Sequence, residues 1–172
     1  MNDLNTERLR IIALNAENLR LLISNQKQLE SNLSLNESST MLNQELKQAM
    51  EVRLSKVLMD DKQKYFWHTN WLIVSKDINK IIGGIMIKGP PNNNGEVVIG
   101  YYTNAEHQGN GFMTEAVGNF KNWLLTNDDV IYVIADTEKD NIASHKVLEK
   151  NNAELYKETE VLFFWRFSLN TP

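Results

Sequence analysis

The stretch Gln108-Gly109-Asn110-Gly111-Phe112-Met113-Thr114-Glu115-Ala116 decides the fold. A strand-like apolar run at residues 97–102 precedes it, and apolar residues at helical spacing follow it from Met113 to Leu124. Two glycines separated by one residue permit a sharp turn and leave main-chain N–H groups accessible to a ligand. Because these N–H groups open a helix, at the positive end of its dipole, the stretch predicts an anion site between a strand and a helix.

Two other phosphate-binding loops are excluded by the same residues. A dinucleotide fingerprint would need glycine where Thr114 stands, and a P-loop would need Gly-Lys-Ser/Thr at its end. A glycine turn that only caps a core helix is the alternative that stays open.

The pattern that remains resembles the coenzyme A loop of GNAT-type N-acetyltransferases, Gln/Arg-x-x-Gly-x-Gly/Ala. Gln108, Gly111 and Met113 hold its defining positions. Methionine departs from the general motif, but the run from Gly109 to Ala116 is similar to the branch that contains the ribosomal-protein N-terminal acetyltransferases. The opening at residues 6–9, Thr-Glu-Arg-Leu, resembles the same branch. The resemblance implies that acetyl-CoA is the co-substrate and that it is bound by these residues: Gln108, Gly109, Asn110, Gly111, Phe112, Met113 and Thr114 of the turn, and the backbone of Tyr101, Tyr102 and Thr103 before it.

A second motif lies at residues 141–150, Asn-Ile-Ala-Ser-His-Lys-Val-Leu-Glu-Lys. It resembles the Asn-x-x-Ser-x-x-Val-Leu-Glu-Lys signature of the same branch. The resemblance implies that the Asn141 amide binds the pantetheine arm and that Ser144 contacts the coenzyme sulfur, although Asn141 can equally be a helix cap. The tyrosine that protonates the leaving thiolate in many of these enzymes is replaced by Leu148. Since a serine hydroxyl is a weak acid, we expect Ser144 to stabilise the thiolate more than to protonate it.

The reaction implied by the resemblance is acetyl transfer to an amine, which must lose a proton before it can attack. Glu96, at the start of a predicted strand, is the candidate general base, and a solvated glutamate is the alternative. A carboxylate is favourable in the first turn of a helix, so Glu115 is expected to be structural. Direct transfer is favoured because the chain has no cysteine to carry the acetyl group.

The acceptor implied by the resemblance is an N-terminal α-amine of a protein. A small amine or an amine-containing antibiotic is the alternative within the enzyme class. A coenzyme-binding sensor domain without turnover is the alternative outside it. The sequence leaves open whether the protein is a homodimer.

The periodicity predicts an α/β fold with antiparallel strands first and parallel pairing later. The resemblance implies that this fold is of the GNAT type, with a central mixed sheet and helices on both faces. A buried run of β-branched residues after the glycine turn and its helix completes a strand-helix-strand unit, which implies parallel pairing. The predicted strands are residues 6–14, 67–76, 81–88, 96–103, 130–135, 155–157 and 161–169, and the predicted helices are residues 15–29, 41–60, 113–124 and 141–150. Loops are predicted at residues 31–40 and 89–95.

Composition restricts the remaining possibilities. The 172 residues, with 42% hydrophobic side chains, predict one domain over residues 1–172. The net charge of −4 argues against a nucleic-acid partner, and the absence of cysteine excludes disulfides and fits a reducing cytosol. No leader or long apolar run is apparent, so we expect a cytoplasmic protein without a membrane partner. The three histidines do not have metal-ligand spacing, and no metal is expected.

Overall fold

The computed structural model describes residues 3–39, 41–59 and 64–168. Strands and helices are interspersed along the chain. The strands are β1 (Leu4–Asn5), β2 (Leu9–Ala13), β3 (Asn70–Ser75), β4 (Lys80–Ile87), β5 (Glu96–Thr103), β6 (Tyr132–Glu138), β7 (Glu154–Glu158) and β8 (Leu162–Ser168). The α-helices are α1 (Ala16–Ser24), α2 (Gln26–Asn32), α3 (Gln44–Met59), α4 (Phe112–Leu124) and α5 (Ile142–Lys150).

The described strands form one sheet in the order β1-β2-β3-β4-β5-β6-β8-β7. Strands β1 to β5 pair antiparallel with their neighbours, whereas β5 and β6 pair parallel and are joined through α4. The parallel pairing runs from Glu96 with Tyr132 to Ile99 with Ala135 and stops there, although both strands continue. We call the opening that results the fork, bounded by residues 100–103 of β5 and 136–138 of β6.

Helices cover the two faces of the sheet unequally. On the α4 face, Val117 and Phe120 of α4 pack with alternate strand residues such as Ile99 and Ala135. On the opposite face, which we call the α1 face, helices α1, α2 and α3 contribute Leu19, Leu29 and Met50 to a second core that includes Leu72. The predicted fold class, a mixed sheet with helices on both faces, is therefore confirmed. None of the helices among the described residues is both long and apolar enough to cross a membrane.

The helix predicted over residues 15–29 is wrong in one respect, because it consists of two helices. Asn25 has φ −156° and ψ 75°, which ends α1, and its side chain accepts a hydrogen bond from the Gln28 N–H at 3.2 Å to begin α2. Asparagine competes for backbone hydrogen bonds in this way at helix ends. Helix α2 continues to Asn32, so the loop predicted from residue 31 begins later.

Three predicted strands begin at least two residues too early, and the first of them, at residues 6–14, is β2, which starts only at Leu9. Residues 65–67 form a short 3₁₀ turn, since the N–H groups of His68 and Thr69 bond to the Tyr65 carbonyl, and β3 starts only at Asn70. The strand predicted at residues 130–135 is β6, which starts at Tyr132 and continues to Glu138. Before it, the Ile131 N–H bonds to the Gly95 carbonyl instead of to a neighbouring strand.

The other predicted elements are found, and most differ from the prediction at their ends only. The strand predicted at residues 96–103 matches β5 in full. The two-residue strand β1 was not predicted. Residue 60, at the end of the predicted second helix, and residue 169, at the end of the last strand, lie outside the described residues.

Candidate active site

The glycine turn brings β5 into α4 through two left-handed residues. Gly109 has φ +78° and Gly111 has φ +74°, and Gly111 precedes the first residue of α4. A Cβ at Gly109 would meet no atom within 4 Å, so the constraint there is backbone conformation and not space. The first N–H groups of α4 have no acceptor within the helix, and no side chain caps it at Gly111.

Side chains of the turn itself hold it in place. The Gln108 amide donates to the Thr103 carbonyl at 3.1 Å, at the end of β5. The Asn110 amide donates to the carbonyls of His107 and Gln108, at 3.2 and 3.1 Å. The polar groups of these two residues thus order the loop around the helix N-terminus.

Arg8 connects the turn to the start of the chain, and sequence reasoning did not assign it. Its guanidinium pairs with Glu115 at 2.6 Å, donates to the Asn110 carbonyl at 3.1 Å and lies over the Phe112 ring at 4.7 Å. Thr6 and the Arg8 N–H also donate to Glu115, at 2.5 and 3.0 Å. Partial burial of Glu115 opposes ionisation, but these hydrogen bonds and the Arg8 charge outweigh it and lower the pKa of Glu115. Glu115 is structural, as predicted, and the only sequence signal for Arg8 is the motif at residues 6–9.

The N-terminal ends of α4 and α5 and the last residues of β5 enclose a cavity of about 790 Å³. Of the residues predicted to bind the coenzyme, all except Asn110 line it: Tyr101, Tyr102, Thr103, Gln108, Gly109, Gly111, Phe112, Met113, Thr114, Asn141 and Ser144. The cavity also includes Lys146, which the second motif contains. Two stretches that are distant in sequence thus meet at one site.

Two hydroxyl groups meet at this cavity, that of Ser144 in the first turn of α5 and that of Tyr101 on β5. Asn141 caps the helix, since its side-chain oxygen accepts from the Ser144 N–H at 3.1 Å. The Tyr101 hydroxyl donates to the Ser144 carbonyl at 3.3 Å, and burial raises the pKa of Tyr101 to about 12, so the phenol keeps its proton. Leu148, at the position of the missing tyrosine, is fully buried in the core. Tyr101 was predicted only through its backbone, because a sequence does not show which way its ring points.

Comparison with protein families gives the decisive match. A model of the acetyltransferase (GNAT) domain matches residues 8–154, which is most of the chain. The chain belongs to the GNAT acetyltransferase family. This is a family of acyltransferase enzymes, and the glycine turn and the second motif of this acetyltransferase domain lie within the matched residues.

Similarity to individual proteins agrees with the family. YjdG of Bacillus subtilis (strain 168), named as an uncharacterized N-acetyltransferase, is 41% identical over 81 residues, which are 47% of this chain and 48% of that protein. The match therefore spans about half the length of this relative.

The GNAT domain also has similar solved structures. One is RimL, a ribosomal L7/L12 alpha-N-protein acetyltransferase in complex with coenzyme A, with a TM-score of 0.70, 13% identity and coverage of 99% of this chain and 100% of RimL. Another is a ribosomal-protein-S5-alanine acetyltransferase from Vibrio fischeri, with a TM-score of 0.71, 16% identity and coverage of 99% and 98%. At these identities the similarity shows a shared fold.

Glu96, predicted as the general base of this GNAT domain, does not line the cavity. It is the first residue of β5, where its carboxylate accepts from the Asn92 amide at 2.8 Å and its N–H donates to the Asn92 side chain at 3.0 Å. At about 3.3 Å per residue, the four residues to Gly100 place it about 13 Å along the strand from the fork. Its side chain belongs to the α1 face, opposite the face on which α4 packs.

A different carboxylate lies at the fork. Asp136, on β6, pairs with Lys88 at 2.7 Å. The predicted strand ended at Ala135, one residue before it, so sequence reasoning did not consider Asp136 as part of the sheet. Neither residue of the pair falls in a recognisable motif.

The histidines lie apart from one another in the fold. His145 is buried in α5, where its ring bonds to the Glu138 carbonyl at 3.0 Å, and His107 lies beside the glycine turn. Within residues 3–39, 41–59 and 64–168, no three His, Asp or Glu side chains are grouped as they would be to hold a metal ion.

Proposed function

We propose that this protein is an N-acetyltransferase that moves the acetyl group of acetyl-CoA directly to a primary amine, the α-amine of a polypeptide N-terminus. The observation that carries the proposal is the cavity enclosed by the N-terminal ends of α4 and α5 beside the fork. Helix N-termini attract anions, and a gap between two strands offers main-chain groups to an extended ligand.

The residues of the cavity fit the parts of acetyl-CoA. The open N–H groups that follow Gly111 suit its pyrophosphate, because glycine at φ +74° leaves the approach to them free. The backbone of residues 101–103, beyond the last pair with β6, suits the pantetheine and the thioester carbonyl. The side-chain oxygen of Asn141 caps α5, and the side-chain NH₂ group of the same residue is the donor that suits the pantetheine arm.

Two hydroxyl groups suit the developing thiolate. Ser144 and the Tyr101 phenol both lie at the start of α5, and Tyr101 remains protonated at neutral pH because burial raises its pKa to about 12. To donate to the thiolate, Tyr101 exchanges its 3.3 Å bond to the Ser144 carbonyl for one to the sulfur. A hydrogen bond aimed at a charge that develops in the transition state stabilises it more than the ground state. These groups therefore take the place of the tyrosine that Leu148 replaces.

The acceptor is proposed from chemistry and from the names of related structures. RimL is named as an α-N-protein acetyltransferase, and the Vibrio fischeri protein as acting on alanine of ribosomal protein S5. Glu96, the predicted base, lies on the α1 face, and at about 13 Å along the strand it would receive the amine proton only through water molecules.

The test is thiol release from acetyl-CoA with short peptides that begin with a free Ser or Ala. Identical peptides with an acetylated N-terminus are the matched controls, and a polyamine and an aminoglycoside represent small amines. We expect release that requires the free N-terminus, with mass spectrometry placing the acetyl group on the first residue. Tight acetyl-CoA binding without acceptor-dependent release would instead favour a sensor domain, and release with small amines alone would move the assignment to them.

A further inference from the structure

We propose that Asp136 is the carboxylate that binds the ammonium group of the acceptor and takes its proton. This inference rests on the proposed function and assigns the acceptor side of the same site. It differs from the sequence-based prediction, which gives that role to Glu96.

The sheet register places Asp136 at the entrance of the fork. The last parallel pair joins Ile99 and Ala135, so Gly100 and Asp136 are the first residues level with each other beyond it. Both strands continue past this point without pairing with each other, so the fork opens between the two backbones at Gly100 and Asp136.

The Asp136 side chain lies on the face opposite the cavity. Residues alternate between faces along a strand, and Ala135 belongs to the core on the α4 face. Asp136 therefore points to the α1 face, and its bond to Lys88 agrees with this, because Lys88 follows Ile87 of the α4-face core and so also points to the α1 face. An acyl group held in the fork from the cavity side would be open to attack from this side.

This part of the α1 face is not covered by helices among the described residues. The core formed by α1, α2 and α3 is built on strand residues up to β4 and on Tyr102, whereas Val98, Asp136 and Phe164 further along the sheet remain partly exposed. An acceptor that approaches the fork across these residues would displace none of the described helices.

The charges around Asp136 suit a cationic acceptor. Lys88 and Asp136 are 48% and 30% exposed, and such a partly exposed ion pair is weak enough for another ammonium group to replace Lys88. Burial raises the pKa of Tyr156, the charges of Glu96 and Asp136 raise it further, and the Arg166 charge lowers it, so both carboxylates lie close to this surface. Arg166 is itself paired with Glu154, at 2.8 Å.

The proposed step balances as follows. The acceptor R–NH₃⁺ gives one proton to Asp136 and becomes R–NH₂. Its nitrogen lone pair forms the C–N bond to the thioester carbonyl carbon, and the C–S bond breaks with its electron pair on sulfur. The second nitrogen proton goes to the thiolate, which leaves the amide R–NH–CO–CH₃ and coenzyme A, and Asp136 releases its proton to water.

The test compares Asp136→Asn with two other single variants in the thiol-release assay. Asp3→Asn is the matched control, since Asp3 pairs with Arg10 at 2.9 Å and is 33% exposed, close to the 30% of Asp136. Glu96→Gln tests the competing carboxylate, and Asp136→Glu asks whether a displaced carboxylate restores activity. Acetyl-CoA affinity, measured by calorimetry on each variant, reports on the fold and on the cavity.

We expect Asp136→Asn to lower kcat/KM for a Ser- or Ala-initiated peptide by about 100-fold or more, as is usual when a general base is lost. Acetyl-CoA affinity should stay within about twofold of the wild type, Asp3→Asn should retain wild-type turnover, and Asp136→Glu should recover part of the loss. An α-amine has a pKa near 8 and is largely protonated at pH 7. A peptide whose α-amine is replaced by an aminooxy group is neutral there, so Asp136→Asn should affect this acceptor by less than about tenfold.

Several outcomes would overturn the inference. Equal losses with the amine and the aminooxy peptide would indicate a structural role for Asp136. Wild-type turnover in Asp136→Asn together with a large loss in Glu96→Gln would assign the base to Glu96. If the wild-type protein binds acetyl-CoA but acetylates none of these peptides, the proposed function itself fails and this inference with it.

Discussion

At the scale of single residues, the site depends on positions that tolerate only one type of residue. Gly111 is the clearest example, because it is left-handed at φ +74° and immediately precedes the first N–H groups of α4. A side chain here would strain the backbone by roughly 1–2 kcal/mol, and its Cβ would lie 3.6 Å from the Arg8 guanidinium that holds the turn. The same residue is therefore expected to affect both stability and binding.

Replacing Gly111 with alanine should weaken acetyl-CoA binding by about tenfold or more, since relief of the strain moves the N–H groups out of line. Gly89→Ala is a suitable control, because Gly89 also has a positive φ, +140°, but does not line the cavity. Calorimetry should show weak binding in the first variant and unchanged binding in the second, with similar losses of stability in urea. Equal affinities in both would remove the glycine turn from the binding site.

The role of a residue could be predicted from the sequence where its contacts are with residues close to it in the chain. Asn141 as a cap and Glu115 in a first turn follow from neighbours in sequence. Asp136 and Lys88 are 48 residues apart and meet only because β4, β5 and β6 lie side by side. A contact of this kind is set by strand order and register, which the residues themselves do not reveal.

At the scale of secondary structure, the link between β2 and α4 holds the site to the rest of the fold. Thr6 and Arg8, which lie before β2, both bond to Glu115 of α4, and Arg8 continues to the glycine turn. Since the pKa of Glu115 is lowered in the folded state, its contribution is complete above its unfolded pKa, near 4.5. It is lost as pH falls through the lower, folded pKa.

Glu115→Gln should reduce the free energy of unfolding by about 1–2 kcal/mol near neutral pH, from the loss of charge-assisted hydrogen bonds that are partly exposed. Glu17→Gln, in the first turn of α1, is the control and should cost only the roughly 0.3–1 kcal/mol of a helix-dipole interaction. Urea unfolding measured from neutral pH to below pH 4 should show the Glu115→Gln and wild-type curves converge in acid. A difference that persists undiminished there would contradict the ionic role.

Elements with a clear period were predictable, and elements decided by a single side chain were less so. Strand β5, the glycine turn and α4 follow from a change of period from two to 3.6 at Gly109 to Gly111. The break at Asn25 depends on one side chain that caps α2, and the pattern of apolar residues runs through it unchanged. The aromatic residues near Trp67 suggested a strand, but hydrogen bonds to the Tyr65 carbonyl fold them into a turn.

At the scale of the whole molecule, the sheet separates the two substrates of the proposed reaction. The cavity lies among helices of the α4 face, whereas Asp136 and Lys88 lie on the α1 face, and the two sides meet only at the fork. The mixed sheet makes this separation possible. Strands β5 and β6 are the only parallel pair among the described strands, and they are also the pair whose hydrogen bonding stops before both strands end. The resemblance in two short motifs was enough to find most of the residues that line the cavity, since a glycine turn and the start of a helix follow from local sequence.

A ligand held by β5, α4 and α5 at once should stabilise the whole domain against unfolding. With acetyl-CoA at about 100 times its dissociation constant, linkage predicts about 2.7 kcal/mol of added stability, which for a chain of this size is a rise in Tm of roughly 5–10 °C. Pantetheine, which lacks the pyrophosphate, should give a much smaller rise at the same concentration, because the N–H groups of α4 then have no anion to bind. Calorimetric scans of the wild type and of Gly111→Ala with each compound check this. The difference between the two compounds should shrink by about half or more in the variant. Equal stabilisation by pantetheine and acetyl-CoA in the wild type would show that the helix N-terminus does not hold the coenzyme.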